Sequence, residues 1–381
     1  MGVAVGCVFM LGQAHADVTT ERGASVLVFP KVLFDSGNTA ALQARGPVDT
    51  IIQISNTSNS VAFARCLYVN ATPLDPSRPP SSTNPAQCQE TDFDIFLTKQ
   101  QPTHWLVSTG RSIDSSDNKP CAAGCNGAGF DPGLIPPVSD PFAGELKCIE
   151  VDLSGAPISG NHLKGEATIV SKLTGDASKY NAIGILGLSD PNNSDDALCL
   201  GGGVSDACPT GAEYNACPES LLLNHFAENA TDPVPLELGN PTLHVLTELT
   251  LVPCTENFET QIPAVLNVQF TIFNEFEDQF STSIPMACWT NLMLDSILPI
   301  FDVALLGTRF AQTRITSPDT DFSRMPQSGV LGVAEEFHQV GTEKQGICQP
   351  QPQPCSRAAF NLHTEGVRPN GDVITLPGVL F

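Results

Sequence analysis

The sequence predicts an all-β protein of two tandem Greek-key β-sandwich domains, immunoglobulin- or fibronectin-like, related by internal duplication. Three observations carry that expectation. Short runs of alternating apolar and polar residues recur along the chain, separated by turn-forming clusters. The same short signatures recur in the same order in both halves. Gly 31 and Pro 31 in 381 residues favour many turns and few long helices.

The repeated signatures run in parallel. Val28-Phe29-Pro30 corresponds to Leu251-Val252-Pro253, and Ile52 to Asn56 corresponds to Phe270 to Asn274. Ala64-Arg65-Cys66-Leu67 corresponds to Met286-Ala287-Cys288-Trp289, and Phe93 to Leu97 to Phe301 to Leu305. Gly144 to Glu150 matches Gly329 to Glu335, and Leu163 to Ala167 matches Leu362 to Gly366. Each match is short; six in unbroken order carry the reading.

The matched units read as strands. Gln53 points away from Ile52 and Ile54 if Thr50 to Ile54 is extended. Ala64–Val69, Leu146–Leu153, Leu163–Val170 and Leu246–Val252 alternate similarly. Asn56 to Ser60 reads as a hairpin turn, and Glu275 to Ser281 as its longer, acidic counterpart. Trp105 and Trp289 lie inside strand patterns and are expected in the core.

The expected organisation is a signal peptide over residues 1–16, a first sandwich over 17–232 and a second over 243–381. A Cys-rich insertion near 190–217 interrupts the first, and residues 233–242 link the two. Leu221 to Phe226 reads as a strand closing the first domain. A helix from Pro218 to Ala227 is the rival, since Pro suits a first helical position.

Export is read from the N-terminus. Gly2 to Leu11 is apolar, and Ala14-His15-Ala16 is a small-residue cleavage site, so the mature chain is expected to begin at Asp17. The leader has no Lys or Arg, which departs from the usual pattern and suggests a true start upstream. Lipid attachment at Cys7 is the weaker alternative, because little apolar chain precedes it. Thirteen cysteines become twelve once the leader is removed, and in an exported chain these read as disulfides. Cys121 with Cys125, Cys199 with Cys208, and Cys348 with Cys355 are the suggestive short loops. The Pro- and Gln-rich tip inside the last is a candidate partner contact.

Composition excludes several classes. Hydrophobic residues are 41% and charged residues 15%, so the chain is not globally disordered. Lys+Arg 18 against Asp+Glu 41 gives a net charge of −23. That balance excludes phosphate-backbone binding and polybasic attachment to anionic lipid. No apolar run is long enough for a spanning helix.

No G-x-S-x-G elbow or other nucleophilic arrangement is present, and no catalytic activity is inferred. The metal-ligating candidates are His338, His363, Glu335 and Glu365, with Glu336 beside them. His363 and Glu365 share one strand face, on a strand expected beside that of Glu335 and His338. Lys164 stands where His363 does in the other half, so the duplication does not preserve the set. Calcium is the cofactor that Asp190, Asn192 and Asp196 would take, being oxygen donors at alternate positions. The Gly and Glu of an EF-hand loop are missing there.

The resulting expectation is a secreted, periplasmic or cell-surface β protein with a structural, adhesive or binding role toward a protein or surface partner. The alternative is a secreted metal-dependent enzyme using His338, His363 and neighbouring Glu.

Overall fold

The computed structural model describes residues 18–37, 47–78, 81–111, 132–188, 196–206, 208–233, 242–318, 328–342 and 355–378. The architecture is all-β, 56% strand and 4% helix. The first half contains β1 (Val18–Thr19), β2 (Val26–Phe34), β3 (Val48–Asn56), β4 (Ala62–Asn70), β5 (Gln89–Leu97) and β6 (Pro102–Leu106). It continues with β7 (Phe142–Val151), β8 (Leu163–Ser171), β9 (Ala177–Asn181), β10 (Ile183–Ile185), β11 (Ala197–Leu200) and β12 (Ser220–Phe226). The second half contains β13 (Leu243–Pro253), β14 (Glu256–Asn257), β15 (Val265–Asn274), β16 (Gln279–Ala287) and β17 (Thr290–Met293). Two one-turn helices, α1 (Leu294–Ile297) and α2 (Val303–Leu306), come next. The last strands are β18 (Phe310–Thr316), β19 (Val330–Val340), β20 (Cys355–Asn361), β21 (His363–Glu365) and β22 (Asp372–Thr375).

These strands form five small sheets, arranged as a five-blade β-propeller and not as two tandem Greek-key sandwiches. The sheet orders are β1-β10-β2-β7-β4-β5, β6-β3-β8-β9, β17-β13-β19-β20, β16-β15-β18-β12-β21 and β11-β22-β14. This corrects the expected fold. A free-standing sandwich leaves one face of each sheet to water. Here β2 and β7 are buried along their whole length, on both faces. Leu27, Phe29, Leu146 and Cys148 pack with Ile52, Ile54 and Ile169 in one core. Val26, Val28, Ile149 and Val151 pack on the other side with Leu198, Val252, Phe258 and Ile374, which come from both halves. The smallest sheet likewise pairs β11 with β22, and β22 with β14. Alternation in sequence reports that a strand has a buried face; it does not report that the second face is also covered.

The turn at Asn56 is also corrected. β3 pairs with β6 and β8, whereas β4 pairs with β5 and β7, so the chain crosses between sheets there. The Asn56 amide holds this corner, donating to the carbonyls of Ser60 (2.6 Å), Leu97 (3.3 Å) and Thr98 (3.0 Å). Its Oδ1 accepts from the Ser58 N–H at 2.8 Å. Residues 275–278, by contrast, close a true hairpin, with Phe273 opposite Gln279. Phe93 lies in β5, but Phe301 closes a short 3₁₀ turn between the two helices, so these matched signatures adopt different backbone shapes.

Leu221 to Phe226 is a strand, not a helix, and it pairs with β18 and β21 from the later half. Trp105 is buried and donates to the Tyr68 hydroxyl at 2.6 Å; half-buried Trp289 donates to the Pro30 carbonyl at 2.8 Å.

Disulfides join Cys66 to Cys148, Cys88 to Cys288, Cys199 to Cys208 and Cys217 to Cys254. Cys199–Cys208 is one of the expected short loops. Cys355 is also bonded, while Cys121, Cys125, Cys348 and the Pro-rich tip lie outside the described residues. No helix is long and apolar enough to cross a membrane, among the described residues.

Candidate functional site

Two lysines lie in fully buried strands, and each is met by at least one carboxylate from a distant part of the chain. Lys31 follows Pro30 in β2. Proline has no N–H for the ladder, and the β2–β7 register shifts between Phe29 and Val32. Tyr180 from β9 completes the backbone there: its hydroxyl accepts from the Lys31 N–H at 3.1 Å and donates to the Lys31 carbonyl at 2.7 Å. The Lys31 ammonium reaches Glu248 of β13 at 2.6 Å and Glu335 of β19 at 2.7 Å. Glu335 also takes Arg357 Nη2 at 2.5 Å and the Ser178 hydroxyl at 2.6 Å. Among the described residues, two cations thus face two carboxylates, as burial demands.

Lys147 sits on β7 opposite Val28 of β2 and Leu67 of β4. Its ammonium contacts Glu145, two residues back on the same face, at 2.8 Å. It also contacts Glu256 of β14, which approaches from the facing layer. Lys147 and Glu145 have no solvent exposure, and Glu256 has 5%. Here one cation serves two carboxylates. Glu145 Oε1 has no hydrogen-bond partner. Burial pushes the Glu145 carboxyl well above the usual range; the Glu256 charge adds to this and Lys147 opposes it. Burial disfavours the Lys147 ammonium, but the two carboxylates outweigh it and hold the proton on nitrogen. At the rim, desolvation and the charges of Glu256 and Asp92 push Glu90 of β5 up to about 8.

The sequence-predicted site residues are dispersed. Glu335 is consumed in the Lys31 cluster. His338 lies between two carboxylates, with Asp232 on Nδ1 at 2.7 Å and Glu336 on Nε2 at 2.8 Å. The hydrogen bond to Glu336 raises its pKa, burial lowers it, and Asp232 adds to the rise. His363 and Glu365 sit in another sheet, on β21, opposite Leu222 and Ser220 of β12, not beside β19 as expected. Glu365 pairs with Arg314 at 2.7 Å. Among the described residues, one group of three or more metal-type side chains has ligand atoms within 4.8 Å of one another: Cys217, Cys254 and Asp372. Its two sulfurs are joined as a disulfide. Asp190 and Asn192 lie outside the described residues, and Asp196 accepts the Leu376 N–H through its backbone carbonyl.

Sequence reasoning missed both lysine clusters. The available signal was a lone Lys inside Val26 to Phe34, and Glu145 and Lys147 two apart inside Gly144 to Glu150. Neither signal names the carboxylates supplied by β13, β14 and β19.

No family model and no curated protein matches the chain. One solved structure to which it is similar in extent is the cowpea mosaic virus top component, naturally occurring empty particles. The identity is 9% and the TM-score 0.18, with 97% of this chain and 99% of that chain covered. A likeness of that size conveys neither fold nor function.

Proposed function

We propose that this chain is a secreted or cell-surface protein with a structural, adhesive or binding role toward a protein or surface partner. The observation that carries this reading is where the chemistry-bearing side chains are placed. Lys31 with Glu335, and Lys147 with Glu145, are fully buried in two clusters that brace remote segments through Glu248 and Glu256. Among the described residues, four disulfides with both cysteines placed brace the same body, one of them across 200 residues. Disulfides persist in oxidising compartments, and a dense set of them suits a protein that must keep its shape there. The acidic balance of −23 keeps such a surface soluble and repels polyanions.

The test is fractionation of cells making the chain with its own leader, followed by N-terminal and thiol analysis. Recovery outside the cytoplasm, a start at Asp17 and no alkylatable thiol before reduction are expected. Cytoplasmic retention with free thiols on Cys66, Cys88 or Cys217 would overturn the reading.

A further inference from the structure

The Lys147 cluster holds the parts of an amide-forming centre. We propose that Lys147 and Glu256 condense into an intramolecular isopeptide bond, with Glu145 as the proton relay. The proposal goes beyond the extracellular reading and does not depend on it, since the chemistry needs only the folded site.

Three features support it. First, the reacting groups are in contact: Lys147 Nζ touches an oxygen of the Glu256 carboxylate and lies 2.8 Å from Glu145 Oε2. Such placement supplies much of what a bimolecular condensation lacks. Second, the charge is unbalanced. One ammonium faces two carboxyl groups, and among the described residues no other cation contacts either, so one carboxyl is held protonated. Third, Glu145 keeps a bare oxygen. Its Oε1 is buried without a donor against it and can carry the carboxyl proton, while Oε2 accepts from Lys147 Nζ.

The step balances without a co-reactant. The Lys147 ammonium passes one proton to the Glu256 carboxylate, leaving a neutral amine and a neutral acid. The Nζ lone pair attacks Glu256 Cδ. Glu145 takes the second amine proton on Oε2, the oxygen that Nζ contacts, and its own hydroxyl proton passes to the departing Glu256 oxygen, to which its carboxyl is hydrogen-bonded. The N–C bond forms, the C–O bond breaks, water leaves, and Glu145 is again protonated. In bulk water the ions are favoured by their hydration. In a dry site that hydration is lost, and a neutral amide replaces two buried charges.

Lys31 is the internal control. One of its carboxylates, Glu335, is shared with the Arg357 guanidinium and the Ser178 hydroxyl, so a second cation balances the charge there. No amide is expected there. The Lys147–Glu256 bond, in contrast, would lock β7 to β14 across the layer that joins the two halves.

The experiment is intact-mass analysis of the full chain after complete reduction and alkylation under denaturing conditions, then tryptic mapping. The expected result is a mass lower by one water than the sequence requires. Trypsin should fail to cut after Lys147, and a branched peptide should join the Lys147 and Glu256 segments. Glu145→Gln keeps the shape of the relay without its proton transfer, and its purified protein should regain the missing mass and the cleavage after Lys147. A wild-type chain of unmodified mass, cleaved normally after Lys147, would overturn the proposal. A lost water mapped to Lys31 would overturn it equally.

Discussion

Cys88 and Cys288 stand 200 residues apart and are joined by a disulfide with Cα atoms 6.0 Å apart. Both cysteines hold left-handed backbone, at φ 48° and 46°, which non-glycine residues seldom adopt without support. The bridge ties the strand entering β5 to the short link between β16 and β17, so it joins segments from the two halves. Chain entropy makes this the most stabilising kind of cross-link, worth about 5 kcal/mol for such a loop against about 2.5 kcal/mol for Cys199–Cys208. Replacing both Cys88 and Cys288 by Ala should lower the urea midpoint clearly more than the same change at Cys199 and Cys208. Equal or reversed losses would contradict the assignment of this bridge as the principal brace.

Asn56 and Asn274 each end a strand and turn the chain with one side chain. The Asn274 amide donates to the Leu306 carbonyl at 3.0 Å, and its Oδ1 accepts from the N–H groups of Phe276 and Asp278. Substituting Ala leaves buried carbonyls and N–H groups without partners. Each Asn→Ala change should therefore cost about 1–3 kcal/mol, read by chemical denaturation. Asn→Asp should be no better at Asn56, because a carboxylate would then face the Leu97 and Thr98 carbonyls. Near-neutral Ala variants would show that water replaces these bonds.

The Lys31 cluster should be intolerant of partial removal. Lys31→Met leaves Glu248 and Glu335 in the core with one cation fewer. Loss of a single partner from a buried ion pair costs about 3–5 kcal/mol. Glu335→Gln should also destabilise, by removing the carboxylate that Lys31 and Arg357 share. The double variant Lys31→Met with Glu335→Gln should recover part of the loss, and a double-mutant cycle measures the coupling. Strict additivity would show that the contacts are not energetically linked.

Two histidines should give the stability–pH curve opposing slopes. His225 is buried against Phe301. Its Nδ1–H donates to the Phe226 carbonyl at 2.8 Å, and Nε2 accepts from the Thr313 hydroxyl at 2.9 Å, so the neutral ring is the one the fold accommodates. Desolvation lowers its pKa to about 4. The folded value lies below the unfolded one, so its contribution is complete above about pH 6.5 and is lost as pH falls toward 4. That loss amounts to roughly 3 kcal/mol. His338 behaves oppositely, because Glu336 and Asp232 raise its pKa. Its contribution is complete below about pH 6.5 and is lost as pH rises through the folded value. His225→Phe should flatten the acid limb of the curve. His338→Gln should flatten the limb just above neutrality. Unchanged slopes in either variant would contradict the assignment.

The β class was legible because strand formation is a local matter: alternation and turn chemistry are written residue by residue, and most of the expected strands formed where the pattern placed them. Cys199–Cys208 was legible for the same reason, its loop being short. What the sequence could not determine was what covers each face. Lys31 and Lys147 look identical to solvent-facing strand residues until β13, β14 and β19 bring Glu248, Glu256 and Glu335 against them. The expected hairpin at Asn56 failed because a turn motif specifies a change of direction, while the choice between pairing back and crossing to another sheet is made by distant carbonyls at Leu97 and Thr98. The pattern predicts His363 on a strand beside that of His338, yet it lies in another sheet, since Leu362 packs into the core and β21 pairs with β12 instead. The single chain thus determined its strands, its acidity and its cysteine content. Only the tertiary structure decided which strands share a sheet and which charges share a buried site, because both depend on contacts between segments far apart in the chain, such as Lys31 with Glu248 and Lys147 with Glu256.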